Sequence, residues 1–295
     1  MKKSFFILSP ILFFVFGCGD GWKDAKNQIT VSILPQKYFV EKIAGNRFDV
    51  NVMIPPGHSP HVYEPTPQQM RSLSRSILYF RIGYIPFEKS WMDKIRAANE
   101  DMKIVDTSAG VDLIAGGHVH EEEGEYEEES HDGEGIDPHI WLSPRAVRVQ
   151  VMHISEAVIA LDPENQMQYR ENTERFLEEI DALDLRIALL YENIHKKKFL
   201  VYHSAWSYFA RDYGLVQVPI EIGGKNPNPS DLKHVIDTAK EENIRTVFVQ
   251  KQSDTRSAEA VASEIGARVV RIDPLAYDWL ENLEQAAHTF QEALK

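Results

Sequence analysis

Apolar segments of strand length recur along the chain, separated by stretches long enough to form helices. Gln28 to Leu34, Phe48 to Ile54, Ser76 to Ile82 and Met102 to Asp106 make a first set. Phe199 to His203, Val216 to Ile222, Arg245 to Val249 and Ala267 to Ile272 make a second. Several, such as Ser76-Ile77-Leu78-Tyr79-Phe80 and Thr246-Val247-Phe248-Val249, are near-continuous apolar runs rather than alternations. That pattern suits strands covered on both faces, and the alternation of strand with helix predicts parallel sheets. The expected fold class is therefore α/β, with two lobes that each carry a roughly four-stranded parallel sheet flanked by helices. The halves share no convincing sequence identity.

Between the two sets lies the longest helical pattern, Asp162 to Lys198. Asp162 can cap it, Pro163 and Glu164 suit a first turn, and Lys196 to Lys198 suit the negative end of a helix dipole. Phe176, Ile180, Leu183, Ile187, Leu190 and Ile194 recur at spacings of three and four and form one apolar stripe. A continuous helix from Pro163 to His195 would be about 50 Å long, a rod able to cross both lobes and hold them in a fixed relation. A coiled coil would need a second matching stripe, and a single closed β/α barrel would have no place for so long a helix after its fourth unit.

The chain begins with Lys2 and Lys3 before an apolar run from Phe5 to Phe16, which reads as a secretion signal. The run is too short for a permanent membrane span, which takes about 20 residues. Val15-Phe16-Gly17-Cys18 resembles a bacterial lipoprotein box and contains the one cysteine of the 295 residues. The resemblance implies cleavage before Cys18, lipidation of its sulfur, and no disulfide in the exported domain. The expected division is a leader over 1–17, lipidated Cys18 and a tether over 18–27, an N-terminal lobe over 28–161, the linking helix over 162–198 and a C-terminal lobe over 199–295. Against 45 acidic residues stand 32 basic ones, a formal charge of -13. This argues against nucleic acid as a partner and suits cations. Residues 116–135 carry His118, His120 and His131 among nine acidic residues. Such a segment cannot bury a core; it reads either as a collector of loosely held cations or as a solvated insertion.

Four short segments set metal-capable side chains beside turn formers: Gly57 to Pro65, Asp137 to Pro144, Tyr202 to Trp206 and Arg271 to Leu275. His61, His139, His203 and Asp273, two from each side of the linking helix, read as one divalent-metal site between the lobes. Imidazole nitrogens with a carboxylate suit Zn(II), and three of these residues fall just beyond expected strand ends, where open α/β sheets bind ligands. His58, three residues before His61, is an alternative ligand; His153, His195, His234 and His288 lie on helical stretches without a turn motif and read as bystanders. Glu64 can accept a hydrogen bond from a bound imidazole, while Tyr63, Trp141 and Trp206 would exclude water or simply pack.

The strings Pro60-His61-Val62-Tyr63-Glu64-Pro65-Thr66-Pro67, Asp137-Pro138-His139-Ile140-Trp141-Leu142-Ser143-Pro144 and His203-Ser204-Ala205-Trp206-Ser207-Tyr208-Phe209, followed by Pro229-Ser230-Asp231-Leu232 and Asp273-Pro274-Leu275, resemble the zinc and manganese solute-binding proteins of ABC transporters, the ZnuA/TroA-like family. The likeness runs from about Ile29 to the C-terminus with all segments in the family's order. It implies two α/β lobes joined by one rigid helix, a metal bound between them by His61, His139, His203 and Asp273, and delivery to an ABC transporter membrane permease. His at the third ligand position points to Zn(II) over Mn(II), because manganese prefers more oxygen. An exported, lipid-anchored monomer that is not an enzyme is expected. A secreted zinc hydrolase needs an open coordination position and a general base, for which Glu64 or Glu221 would serve, but no His-Glu-x-x-His or Gly-x-Ser-x-Gly string occurs. An adhesin that keeps the fold without transport has no motif by which to be read.

Overall fold

The structure is a computed structural model describing residues 27–115, 135–221, 227–252 and 256–295. The leader, Cys18 and the acidic segment 116–135, apart from Gly135, lie outside the described residues.

The first half runs β1 (Gln28–Val31), α1 (Leu34–Ala44), β2 (Asp49–Val52), α2 (Pro67–Leu73), β3 (Ser76–Arg81), α3 (Pro86–Ala98) and β4 (Lys103–Asp106). A 3-10 turn, Ile140–Leu142, then leads into α4 (Pro144–Leu161). After the linking helix come β5 (Lys198–Val201), α6 (Ser207–Asp212), β6 (Val216–Pro219), α7 (Pro229–Glu241), β7 (Thr246–Gln250), α8 (Arg256–Ile265), β8 (Arg268–Ile272) and α9 (Trp279–Leu294). All pairings are parallel. The two four-stranded sheets have the orders β2-β1-β3-β4 and β6-β5-β7-β8, so each half follows the same winding. In both, the chain reverses direction beside the first strand, opening a crevice at the carboxyl ends. Each expected strand is present, and all but β7, which is shifted by one residue, are shorter than their apolar runs. The run ending at Leu34, for instance, leaves the sheet after Val31, and α1 begins at Leu34 with Pro35 in its first turn.

The linking element differs from the expected continuous helix. Pro163–Asn165 is a 3-10 turn, and α5 proper spans Gln166–Tyr191, 26 residues and about 39 Å. Asp162 does not cap it: its carboxylate accepts from Asn165 Nδ2 at 2.7 Å and the Tyr169 hydroxyl at 2.5 Å, tying the turn sideways. At the other end the helix stops at Tyr191, and Lys198 already belongs to β5, where its ammonium meets Glu242 at 2.8 Å. The lysines therefore serve the connection and strand, not a helix terminus.

Phe176, Ile180, Leu183 and Ile187 are buried along α5, whereas Leu190 and Ile194 are only partly covered. The helix packs on α1 and α4 from one lobe and on α9 from the other. One continuous core passes from the N-terminal sheet through α5 to Phe199, Trp206, Phe209 and Phe290 on the second sheet. There Phe290 meets Phe199, Phe248 and Trp206 with ring centroids 4.6, 4.7 and 4.9 Å away. Two indoles add a direct tie. Trp141 Nε1 donates to the Pro274 carbonyl at 2.7 Å, and Trp279 Nε1 donates to the Trp141 carbonyl at 2.6 Å. A smaller core beneath α7 and α8 is separate.

The N-terminal crevice is pinned by Glu88, 1% exposed, whose carboxylate accepts from the backbone N–H groups of Ile82 and Gly83 at 2.8 and 2.7 Å and from the Ser32 hydroxyl. Gly83 sits at φ 116°, and a Cβ there would lie 2.7 Å from Ser108 Oγ, so only glycine fits. Burial pushes the Glu88 carboxyl up to about 7, against the opposing hydrogen bonds. A carboxyl raised in the folded state contributes stability that is full below its unfolded pKa and lost as pH rises through the folded value.

Two predictions follow from this packing. Ile180→Ala should lower the unfolding free energy in urea by about 2–5 kcal/mol, while Leu185→Ala on the exposed side of α5 should change it by less than about 0.5 kcal/mol. Between pH 4.5 and 8, ionisation of Glu88 should cost the wild type about 3 kcal/mol that Glu88→Gln does not lose; equal pH slopes for the two proteins would refute the assignment.

Candidate metal centre

His61 lies on the loop between β2 and α2. Gly57, at φ 82°, turns the chain, the Phe87 N–H holds the Pro60 carbonyl at 3.0 Å, and the His61 N–H donates to Ser59 Oγ at 3.3 Å. Downstream, Thr66 and Gln69 form a capping box at the start of α2, and Gln69 Nε2 reaches back to the Met53 carbonyl at 2.8 Å. These contacts fix both ends of an otherwise irregular loop.

His139 precedes the 3-10 turn and is 4% exposed. Asp137 Oδ1 accepts from both its backbone N–H, at 2.9 Å, and its ring Nδ1, at 2.7 Å. His203 follows β5, and its Nδ1 stands 2.8 Å from Glu221 Oε2, which follows β6. With a carboxylate on Nδ1, each ring carries its proton there and turns the Nε2 lone pair inward. The two inward nitrogens, from opposite lobes, are 3.4 Å apart. His61 completes the group, its ring centroid 4.6 Å from His203 and 5.8 Å from His139. Ligand atoms of all three lie within 4.8 Å of one another.

The electrostatics keep the His61 and His139 rings neutral. Burial, and secondarily the His139 and His203 rings, lower His61 to about 3. Burial also lowers His139, although Asp137 opposes it. For Asp137 burial acts upward, but the His139 ring and hydrogen bonds from His139 and Ser207 outweigh it and hold the carboxyl below its usual range. A neutral imidazole backed by an ionised carboxylate, as at His139 and Asp137, is the form a metal ion requires.

Asp273, expected as the fourth member, is not part of the three-residue group. Its Oδ1 accepts from Leu275 N–H at 3.0 Å and Gln252 Nε2 at 3.1 Å, and its Oδ2 is 3.4 Å from Lys251 Nζ. It borders an interlobe cleft of about 300 Å³, shared with Ile54, Pro56, Leu275 and Tyr277. His58 is exposed and stays outside the group, with Nδ1 3.2 Å from the Pro56 carbonyl. Glu64 is exposed, and among the described residues it makes no hydrogen bond to any of these histidines; the acceptors are Asp137 and Glu221 instead. Asp137 stands in the quoted Asp-Pro-His string, two residues before its partner, so that signal was available. Glu221 is 18 residues from His203 and is brought beside it only by the pairing of β5 with β6. Trp141 packs on His139 with centroids 5.2 Å apart, Trp206 is a core residue, and Tyr63 donates to Gln69 Oε1 at 2.6 Å.

Two α/β lobes held by one helix, with converging imidazoles in the crevice between them, define a bilobal solute-binding protein with a metal-type site. Residues 29–293 match the family described as zinc-uptake complex component A, periplasmic, and the chain belongs to that family, which is part of the zinc/manganese substrate-binding proteins of ABC transporters. A putative metal-binding protein of Chlamydia trachomatis serovar D is 31% identical over 284 residues, covering 95% of this chain and 97% of that one. The high-affinity zinc uptake system protein ZnuA of Bacillus subtilis (strain 168) is 28% identical over 287 residues, covering 92% and 88%. A crystal structure of ZnuA superposes with a TM-score of 0.83 at 42% identity, over 91% of this chain and 99% of that one.

Replacing the carboxylate behind either ring should loosen the site without unfolding the protein. Asp137→Asn and Glu221→Gln are each expected to weaken divalent-metal binding about 10–100-fold in a chelator competition. A wild-type affinity in both would show that the carboxylates do not orient the rings.

Proposed function

We propose that this protein captures Zn(II) outside the cytoplasm and delivers it to an ABC-type import permease. His61, His139 and His203 bind through their inward nitrogens, Asp273 is the fourth ligand, and Mn(II) is the weaker cargo. The supporting observation is the Nε2 to Nε2 separation of 3.4 Å between His139 and His203. Two nitrogens on one tetrahedral zinc, each at about 2.0–2.1 Å, stand about 3.3–3.4 Å apart. With both protons directed at carboxylates, two lone pairs face each other at that distance, an arrangement that a shared cation relieves. Three nitrogen donors favour zinc over manganese.

The protein acts as a carrier and not a catalyst, since four protein ligands leave a tetrahedral zinc no open position for an activated water. Removal of 1–17 and lipidation of Cys18 tether the monomer to a membrane surface, with 18–27 as the spacer. The two lobes and their linking helix form the exported domain, and the acidic segment 116–135 gathers cations near the site.

The reading is tested by metal analysis of the soluble domain, begun after Cys18, followed by Zn(II) against Mn(II) competition. One tightly held zinc per chain is expected, with affinity reduced at least about 100-fold in His203→Ala. Preference for manganese would change the cargo, and absence of any bound metal would overturn the site.

A further inference from the structure

Strand register places a cation beside the expected fourth ligand. In the pairing of β7 with β8, Gln250 lies opposite Ile272, so the next residue of each strand, Lys251 and Asp273, emerges side by side at the rim of the crevice. The Lys251 ammonium stands 3.4 Å from Asp273 Oδ2, and Gln252 and Leu275 hold Oδ1. The Asp273 side chain is 17% exposed and that of Lys251 62% exposed.

We propose that Lys251 is a built-in competitor of the metal for Asp273, and that it sets how readily the cargo is released. This inference rests on reading Asp273 as the fourth ligand. A carboxylate this covered is costly to leave without a positive partner. In the metal-free site Lys251 supplies that partner and keeps the carboxylate apart from the three imidazoles. When a divalent cation enters, Asp273 turns to it across the interlobe cleft and Lys251 withdraws. The withdrawal disturbs no packing, because the side chain is mostly in water and its stem is flexible; its cost is the loss of the ion contact with Asp273. On release the ammonium returns, so the carboxylate exchanges one cation for another and is never left bare. A carrier gains from this: the metal-free state is stabilised relative to the loaded one, which limits affinity and shortens the bound lifetime.

The experiment measures zinc affinity by competition with a chelating indicator, and zinc release by stopped flow, on the soluble domain after Cys18. The proteins are wild type, Lys251→Gln, Lys251→Arg, Asp273→Asn and the double variant Lys251→Gln/Asp273→Asn, each checked for an unchanged thermal melt. Lys251→Gln is expected to bind zinc about tenfold tighter and to release it correspondingly more slowly, while Lys251→Arg stays near wild type. In the Asp273→Asn background the same Lys251→Gln change should alter affinity less than about twofold. An equal gain in both backgrounds would mean only general repulsion between two cations and would overturn the proposal, as would no gain in either when Asp273→Asn itself weakens zinc. If Asp273→Asn binds zinc as wild type does, the fourth-ligand reading falls and the competitor role falls with it, leaving the three-histidine site standing.

Discussion

Two imidazole nitrogens with lone pairs turned toward each other do not approach to 3.4 Å unless the groups that carry them are held there. His139 is held by Asp137 on the N-terminal side of α5, and His203 by Glu221 on the other side. Each carboxylate fixes the tautomer of its ring, but neither controls the distance between the rings. That distance depends on the relation of the two lobes, and everything else in the structure serves to keep it. Helix α5 packs on α1, α4 and α9 together, one apolar core runs through it into both sheets, and the Trp141 and Trp279 indoles join the His139 turn to the chain just after Asp273. The histidine group is thus a local consequence of global packing.

Within this frame the elements are not equally constrained. The His139 turn is tied across the lobes by Trp141 and by the Tyr208 hydroxyl, which donates to the Asp137 carbonyl at 2.7 Å. His61 sits on an irregular loop secured at its two ends, and Asp273 shares its carboxylate among Lys251, Gln252 and Leu275. The layer of α7 and α8 rests on its own small core. Two histidines oriented by carboxylates thus stand beside a third on a loop, while the nearby Asp273 carboxylate is held by other groups.

At longer range, the net negative charge of the chain raises the local concentration of cations. Burial of His61 and His139 keeps both rings unprotonated, so neither has a proton to shed before it could bind an ion.

Much of this was legible in the one-dimensional pattern. Near-continuous apolar runs alternating with helical stretches specified parallel strands, because a strand covered on both faces has no polar side to show. The histidines at 61, 139 and 203 could be picked out by their turn-bounded strings and by the likeness of those strings to the zinc and manganese solute-binding family, and the structure brings all three together. Local signals misled where tertiary contacts compete with them. Asp162 has the chemistry of a cap but is drawn aside by Tyr169 and Asn165, and Lys196 to Lys198 have the charge for a helix end but continue into β5. The sequence by itself determined the element types and the apolar face of α5, since these follow from periodicity and side-chain chemistry. Only the tertiary structure decided which carboxylate serves which ring, that Asp273 is paired with Lys251 and not with the imidazoles, and how closely the nitrogens approach. Those depend on sheet register and on the packing between lobes, and neither is encoded in any one segment.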